Sequence, residues 1–454
     1  MTELIDYIAT FAKALKEEDV NTFRSCITIN PSLSIANIRK EYREPTDVDL
    51  YHVPEKFRPV LLSHLKLMKA VYTEKSLNLA FDELNDLILN LIRASDFQSN
   101  WINKPLITSF NELIAIYQTK EAKDPEDLDS FIDDDSEVFD GGQAKKSSLE
   151  TLVTTFRKGF NLSFNDKNPD PTKTKLNEIY YFLSNLVKYC FKLGKLNMAD
   201  SIIKAVKQAG ERLPPFTSSV RNKKYGIVYL YYRSLIELDN GDYIESEKSL
   251  ETALDLIKDY PNTKSKQLSQ ILLVLIPLKL QNHGKMPSKK VWLKYPLLRV
   301  IYRDNFFKAI KLGDIGLFEE SMAKFQHVLL KKHLYTLIES LKPWVYFQLI
   351  KKTFDICYEI NPVADKKHMI KSSTFQLAIE YSKYHLRHKE DFRFAQDHLY
   401  NTNLNEVEYI IGNLMQLGKI KGYIHSSRLV VFSKTREQAF PITNEKKKKK
   451  SPIG

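Results

Sequence analysis

The sequence predicts a mostly α-helical protein: a solenoid of stacked helix pairs ending in a three-helix module that carries a β-hairpin. Three observations predict it. Gly is scarce, 14 of 454 residues, while aromatic residues abound, 24 Tyr and 25 Phe among them. That balance favours helices over a loop-rich β fold. A helix–Gly–helix pattern recurs at Gly194, Gly241 and Gly313, and near the C-terminus a helical stripe gives way to alternation of period two.

Residues 1–118 read as an N-terminal helical region. In "SLNLAFDELNDLILNLI" the apolar positions Leu77, Leu79, Ala80, Leu84, Leu87, Ile88 and Leu91 recur near every 3.6 residues. Residues 119–148 break the pattern. The stretch is acidic, contains a Gly pair and lacks periodicity, so it reads as a disordered loop inside the array. Two roles stand for it, a shield over the protein's own basic surface and a tolerated insertion.

Helical patterning resumes over 149–343. "YCFKLGKLNMADSIIKAVK", "RSLIELDNGDYIESEKSLETAL" and "FFKAIKLGDIGLFEESMAKFQ" each join two amphipathic helices through a Gly followed by Lys or Asp. Gly suits the left-handed residue that closes a first helix just before the second starts. The unit resembles that of tetratricopeptide repeats, at irregular spacings of 47 and 72 residues. Stacked pairs of this kind bury the apolar faces that a single pair cannot. Pro277, inside the apolar stretch "ILLVLIPL", predicts a kinked helix buried on most sides.

Residues 344–441 close the fold. Helical patterns at Trp344–Tyr358 and Ile370–Tyr384 are followed by the stripe Val407, Ile410, Ile411, Leu414 and Leu417, which Gly418 ends. Ile420, Gly422 and Ile424 then alternate with Lys421, Tyr423 and His425, and "RLVVFSK" follows Ser426-Ser427. Three helices and a β-hairpin form a winged helix. A basic tail, 442–454, contains Lys446–Lys450. It reads as a nuclear localisation signal, a loose nucleic-acid tether or a solvated end.

Composition narrows the function. Formal charge is +12, yet Glu121–Asp140 holds ten acids and one Lys, which leaves +21 on the rest of the chain. An excess of base on this scale points to polyanionic partners, nucleic acid first. Cys26, Cys190 and Cys357 lie far apart with no Cys-x-x-Cys pair; they read as small core residues of a protein in a reducing compartment. The N-terminus carries early acids and no small-residue cleavage site, and the longest apolar run, Ile271–Leu278, has 8 residues. A chain without a secretory signal or membrane span is expected. Phosphate-binding Gly loops, His-Glu-x-x-His and Gly-x-Ser-x-Gly are missing, so the protein is not expected to be an enzyme and no cofactor is assigned.

Several stretches resemble one family. "ILLVLIPLKLQNHGKMPS", "LIESLKPWVYFQLIKKTF", "VEYIIGNLMQLGKIKGYIHSSRLVVFSK" and the closing Phe440-Pro441 are similar to the PCI-domain family, a tetratricopeptide-like solenoid fused to a winged helix. They resemble the branch that holds the PCI subunit of the nuclear mRNA-export complex and the signalosome-associated twelfth subunit. "FNLSFNDKNPDPTKTKLNEIYYFLSNL" looks like the latter type, with Ser163-Phe164 for Cys-Leu and Lys167 for Arg. The resemblance covers roughly Leu149–Pro441, about two-thirds of the chain.

The resemblance implies a non-catalytic scaffold subunit of a nuclear mRNP complex. Such a subunit pairs its winged helix with that of a second PCI-domain protein, binds a small acidic Sem/Dss-type peptide and presents a basic platform to RNA or DNA. The alternative is a purely structural subunit of a signalosome or proteasome-lid type assembly, without nucleic acid.

For a platform the candidate residues are Lys419, Lys421, Arg428 and Lys434 on the wing, with Arg387 and Lys389 before it. Lys and Arg contact phosphate without a sequence code. The helix before the wing offers Glu406, Glu408, Asn413 and Gln416. Its acids repel phosphate, so packing on a partner is expected there rather than base reading in a groove. His385, His388 and His398 lack a fourth ligand for a metal site.

Overall fold

A computed structural model describes residues 4–35, 42–123, 147–258, 260, 266–361, 366–384 and 401–441. The acidic stretch 124–146, residues 385–400 with Arg387, Lys389 and the three His, and the Lys tail lie outside the described residues. The chain divides into two compact units, 1–240 with 252–259, and 241–251 with 260–454. Among the described residues no helix is long and apolar enough to cross a membrane.

Among the described residues of the first unit the regular elements are helices: α1 (Leu4–Lys16), α2 (Val20–Ile27), α3 (Arg58–Met68), α4 (Leu77–Ala94), α5 (Asn103–Lys123), α6 (Ser148–Phe164), α7 (Ile179–Lys192), α8 (Leu196–Ala209) and α9 (Val220–Asp239). Side chains of Asp19, Ser76 and Ser147 accept from the first free backbone N–H groups of α2, α4 and α6. The predicted stripe of α4 is buried from Ala80 to Leu91, except that Leu79 is exposed and Phe81 takes the core position. Helix α7 is buried at every position from Ile179 to Val187 and packs against α6, α8 and α9. A helix covered on all sides is the core of its array.

The "NDKNPDPTKTK" segment, one of those that carry the family resemblance, has a structural explanation. Asp166 accepts from the Lys175 backbone N–H at 2.7 Å and the Thr174 hydroxyl at 2.9 Å. Arg212 donates to the carbonyls of Phe164 and Asp166 at 2.8 and 3.0 Å. Lys175 is buried, with its ammonium 3.3 Å from the Asp96 carbonyl. These bonds fix the crossing from α6 to α7 and satisfy polar groups that would otherwise be stranded.

Helix α10 (Tyr243–Ile257) straddles the division. The second unit continues with α11 (Lys266–His283), α12 (Lys289–Lys294), α13 (Pro296–Leu298), a π-helical stretch Arg299–Phe306, α14 (Phe307–Leu312), α15 (Ile315–Lys331) and α16 (Tyr335–Glu339). All three repeat glycines are left-handed, with φ of 73° at Gly194, 81° at Gly241 and 71° at Gly313. The next helix begins two residues later in each case, as the pattern predicts. Gly313 has a second constraint: a Cβ there would lie 2.7 Å from the Leu349 backbone N. The Ser382 hydroxyl donates to the Gly313 carbonyl at 2.9 Å and accepts from Ile315 N–H at 2.8 Å. This last turn is therefore held by the module that follows it.

Pro277 lies inside α11, and every residue from Val274 to Leu278 is buried. Pro has no N–H for the carbonyl four residues back, that of Leu273. The buried Tyr302 hydroxyl, from the π-helical stretch, donates to that carbonyl at 2.5 Å. Removing the hydroxyl leaves a buried acceptor unpaired, so Tyr302→Phe is expected to cost about 1–3 kcal/mol in urea denaturation. In a Pro277→Ala background the restored N–H takes the same carbonyl, and the cost of Tyr302→Phe shrinks. Equal losses in both backgrounds would refute this account.

The C-terminal module contains α17 (Lys342–Ile360), β1 (Met369–Lys371), α18 (Ser372–Tyr384), α19 (Leu404–Gln416), β2 (Gly422–His425), β3 (Leu429–Phe432) and α20 (Arg436–Ala439). The strands are antiparallel in the order β1-β3-β2, with Ile370 opposite Val430 and Tyr423 opposite Val431. This is the predicted winged helix. One detail differs: Ile370 and Lys371, read as the start of a helical pattern, belong to the strand Met369–Lys371 that completes the sheet. That strand pairs along the outer edge of β3, which makes β3 the central strand, and its Ile370 is buried opposite the buried Val430.

Candidate nucleic-acid interface

The wing owes its shape to a few residues. Helix α19 stops at Gly418, whose φ of 67° turns the chain back so that Lys419 N–H reaches the Leu414 carbonyl at 3.0 Å. At the start of β2, a Cβ on Gly422 would lie 2.3 Å from the Val431 carbonyl oxygen, so the strand crossing requires glycine. Val430, Val431 and Phe432 of β3 are buried, while Tyr423 and His425 of β2 face solvent. The hairpin thus pins one strand to the core and exposes the other.

The structure separates the candidate cations. Lys421 is exposed, its backbone fixed by Ala439 at 2.9 Å and Ser433 at 3.0 Å. Lys434 is exposed just beyond Ser433, so these two flank the open end of the hairpin. Arg428 is exposed at the turn, roughly 13 Å away at about 3.4 Å per strand residue. It is held left-handed, φ 58°, with its N–H on the His425 carbonyl at 3.0 Å. A non-glycine residue at such a position stores strain, which recurs at functional sites. Its guanidinium lies 3.4 Å from the Asn405 side-chain oxygen, at the start of α19.

Lys419 requires correction as an outward wing residue. It is buried, with its ammonium 3.2 Å from the centre of the Trp344 ring. Burial lowers its pKa to about 8. The turn at Gly418 directs the side chain inward, where the aromatic face offsets part of the desolvation. Arg387 and Lys389 lie outside the described residues.

Helix α19 has no Lys or Arg, and Glu406 and Gln416 on it are exposed, while Glu408 and Asn413 are half-buried. Its most exposed large side chain is Tyr409, 74 % accessible. Leu377 and Tyr381 of α18, Leu417 and Tyr423 are also exposed. Sequence reasoning missed this apolar set. The signal was present for Tyr409, which falls off the Val407–Ile411–Leu414 stripe. Arg436, just beyond the wing, is paired with Asp355.

No family model matches the chain. It is 43 % identical over 443 residues to "Protein CSN12 homolog" of Debaryomyces hansenii, covering 97 % of this chain and 98 % of that protein. It is 27 % identical over 283 residues to "PCI domain-containing protein 2 homolog" of Dictyostelium discoideum, 62 % of this chain and 58 % of that one. Identity to "COP9 signalosome complex subunit 12" of Eremothecium gossypii is 23 % over 357 residues, 77 % of this chain and 80 % of the relative. Near-complete alignment at this identity, on a helical array that ends in a winged helix, places the chain in the CSN12 family of PCI-domain proteins.

Proposed function

We propose that this chain is a non-catalytic scaffold subunit of a signalosome-type assembly, joined to a second PCI-domain subunit through its winged helix. The observation that carries the reading is the exposed apolar set Leu377, Tyr381, Tyr409 and Tyr423 on a module whose wing strand faces solvent. Such side chains suit a protein interface. The Eremothecium relative, a COP9 signalosome complex subunit 12 by name, supports the assembly. Affinity purification with mass spectrometry, with and without nuclease, tests it. Signalosome subunits recovered in both conditions support the reading, and their absence from both sinks it.

A second reading is supported by the wing: the subunit also binds RNA or DNA without sequence preference, as part of a nuclear mRNP complex. Lys421, Arg428 and Lys434 are exposed on one hairpin, whereas α19 carries acids. Arg428→Gly tests it without a folding penalty. Glycine relieves the left-handed strain, so stability stays within about 1 kcal/mol of the parent or rises. Affinity for single-stranded RNA is expected to fall several-fold, and the log–log salt slope to drop by about 0.7, one phosphate contact. An unchanged slope, together with unchanged affinity after Lys421→Glu and Lys434→Glu, would remove nucleic acid from the function.

A further inference from the structure

The end of α4, helix α6 and the crossing from α6 to α7 enclose a recess of the first unit that the winged-helix reading does not use, about 660 Å³ in volume. Lys175 is part of its wall and is only 3 % exposed. Its ammonium has one hydrogen-bond acceptor, the Asp96 carbonyl at 3.3 Å, and stands 3.7 Å from the Asp166 carboxylate. An ammonium carries three N–H groups, so this one can still donate to a further acceptor. Lys158 and Lys167, both exposed, add two cations to the same walls. Of the two acids there, Asp166 is committed to the Thr174 hydroxyl at 2.9 Å and the Lys175 backbone N–H at 2.7 Å. The other, Asp96, is exposed.

Phe97 borders the same recess and is 80 % exposed. The Lys56 ammonium covers one face of its ring, 3.7 Å from the centre. The opposite face is left to solvent. An exposed phenyl ring held under a cation is a platform for stacking rather than a core side chain. The far wall is fixed from behind. Arg212 holds the carbonyls of Phe164 and Asp166, and the Asn168 side-chain oxygen accepts from the Asp170 N–H at 3.1 Å. A wall set before a ligand arrives has little ordering left to do on binding.

We propose that this recess binds a nucleotide: a phosphorylated sugar that carries a planar base. The base stacks on the free face of Phe97. The phosphate lies between Lys158 and Lys167 and accepts from the Lys175 ammonium. Asp96 accepts from the sugar hydroxyls, and the exposed amides of Asn161 and Asn165 on the same walls pair with base or sugar edges. Each part of the ligand answers a different feature. A bare phosphate leaves Phe97 uncovered and gives Asp96 nothing to accept, and a nucleoside leaves the lysines unpaired. Lys175 separates the recess from an ordinary solvated surface. Lysines on such a surface keep the ammonium in water, whereas this one is buried and short of acceptors. The chain lacks Gly-rich phosphate loops, so side chains rather than backbone N–H groups hold the phosphate here. A volume of this size lies within the range of small-molecule sites.

The full chain is titrated with ADP by isothermal titration calorimetry, with adenosine, inorganic phosphate and a single-stranded RNA as comparators. ADP is expected to saturate one site and to bind at least tenfold more tightly than adenosine or inorganic phosphate. Phe97→Ala is expected to weaken ADP binding at least fivefold, the low end for one base stacked on an aromatic ring. Lys158→Ala combined with Lys167→Ala is expected to weaken it at least tenfold. Both changes fall at exposed positions, so the thermal midpoint stays as in the parent. Lys421→Glu with Lys434→Glu leaves ADP binding unchanged, which keeps this test separate from that of the wing. The proposal is overturned if ADP does not saturate, or if its affinity ignores both Phe97→Ala and the lysine pair. It also fails if inorganic phosphate binds as tightly as ADP, or if the RNA displaces ADP and loses its own affinity in the same variants.

Discussion

Phe440→Ala is expected to destabilise the winged helix by about 3–5 kcal/mol, the range for emptying a buried aromatic site. Phe440 is fully buried. Its ring lies 5.3 Å from Phe354 of α17, 5.9 Å from Phe432 of β3 and 5.9 Å from Phe347, centre to centre. Phe354 and Phe432 themselves stand 4.8 Å apart, and Phe375 of α18 joins Phe432 at 5.9 Å. The cluster therefore ties two helices, the central strand and the residue that follows α20. Interiors are close-packed, so the vacated volume cannot be refilled by rotation of one neighbour. Hydrogen exchange across residues 342–441 reads the loss directly, and Phe440→Leu is expected to cost less than half as much. A module as protected as the parent after Phe440→Ala would show that the cluster is not its core.

Acidification is expected to destabilise the first unit by about 3 kcal/mol through one histidine. His64 on α3 is fully buried. The Tyr7 hydroxyl donates to the Cys26 carbonyl at 2.8 Å, so its single proton is committed. His64 Nδ1, 2.9 Å from that oxygen, must then be the donor. Burial lowers the His64 pKa to about 4, with the Thr28 backbone acting in the opposite sense. The unfolded chain has an ordinary histidine near 6.5. Below that pH the unfolded state binds a proton that the folded state refuses, so stability is full above about 6.5 and falls towards pH 4. The slope approaches about 1.4 kcal/mol per pH unit.

Glu112 on α5, whose pKa burial raises, works in the opposite direction, so the measurement is a difference. Urea denaturation between pH 7.5 and 4.5 is compared for the parent and His64→Asn, whose amide can replace the Nδ1 donor. The variant is expected to lose the acid slope. An equal slope in both would place the titrating group elsewhere.

Much of the fold was legible because it rests on local chemistry. The left-handed glycines at 194, 241 and 313 follow from helix termination alone. The wing follows from a change of period at Gly418. Where local pattern and tertiary context disagree, the pattern loses. Leu79 fits the helical stripe yet is exposed, since Phe81 takes the core position. Ile370 fits a helical run, yet the wing needs a third strand there.

The candidate interface was less legible. Charge type can be read from a sequence, but the direction of a lysine side chain depends on what packs beneath it. Lys419 and Lys421 are two residues apart. One rests on Trp344, 75 positions earlier in the chain, and the other faces water.

By itself the sequence determined the helical class, the glycine turns, the winged C-terminus and the family, because all of these depend on periodicity and short motifs. Only the tertiary structure decided which cations face solvent and what takes the carbonyl that Pro277 leaves unpaired. These depend on contacts between residues distant in sequence, and burial, which sets the energy of both charge and apolar surface, exists only once those contacts are made.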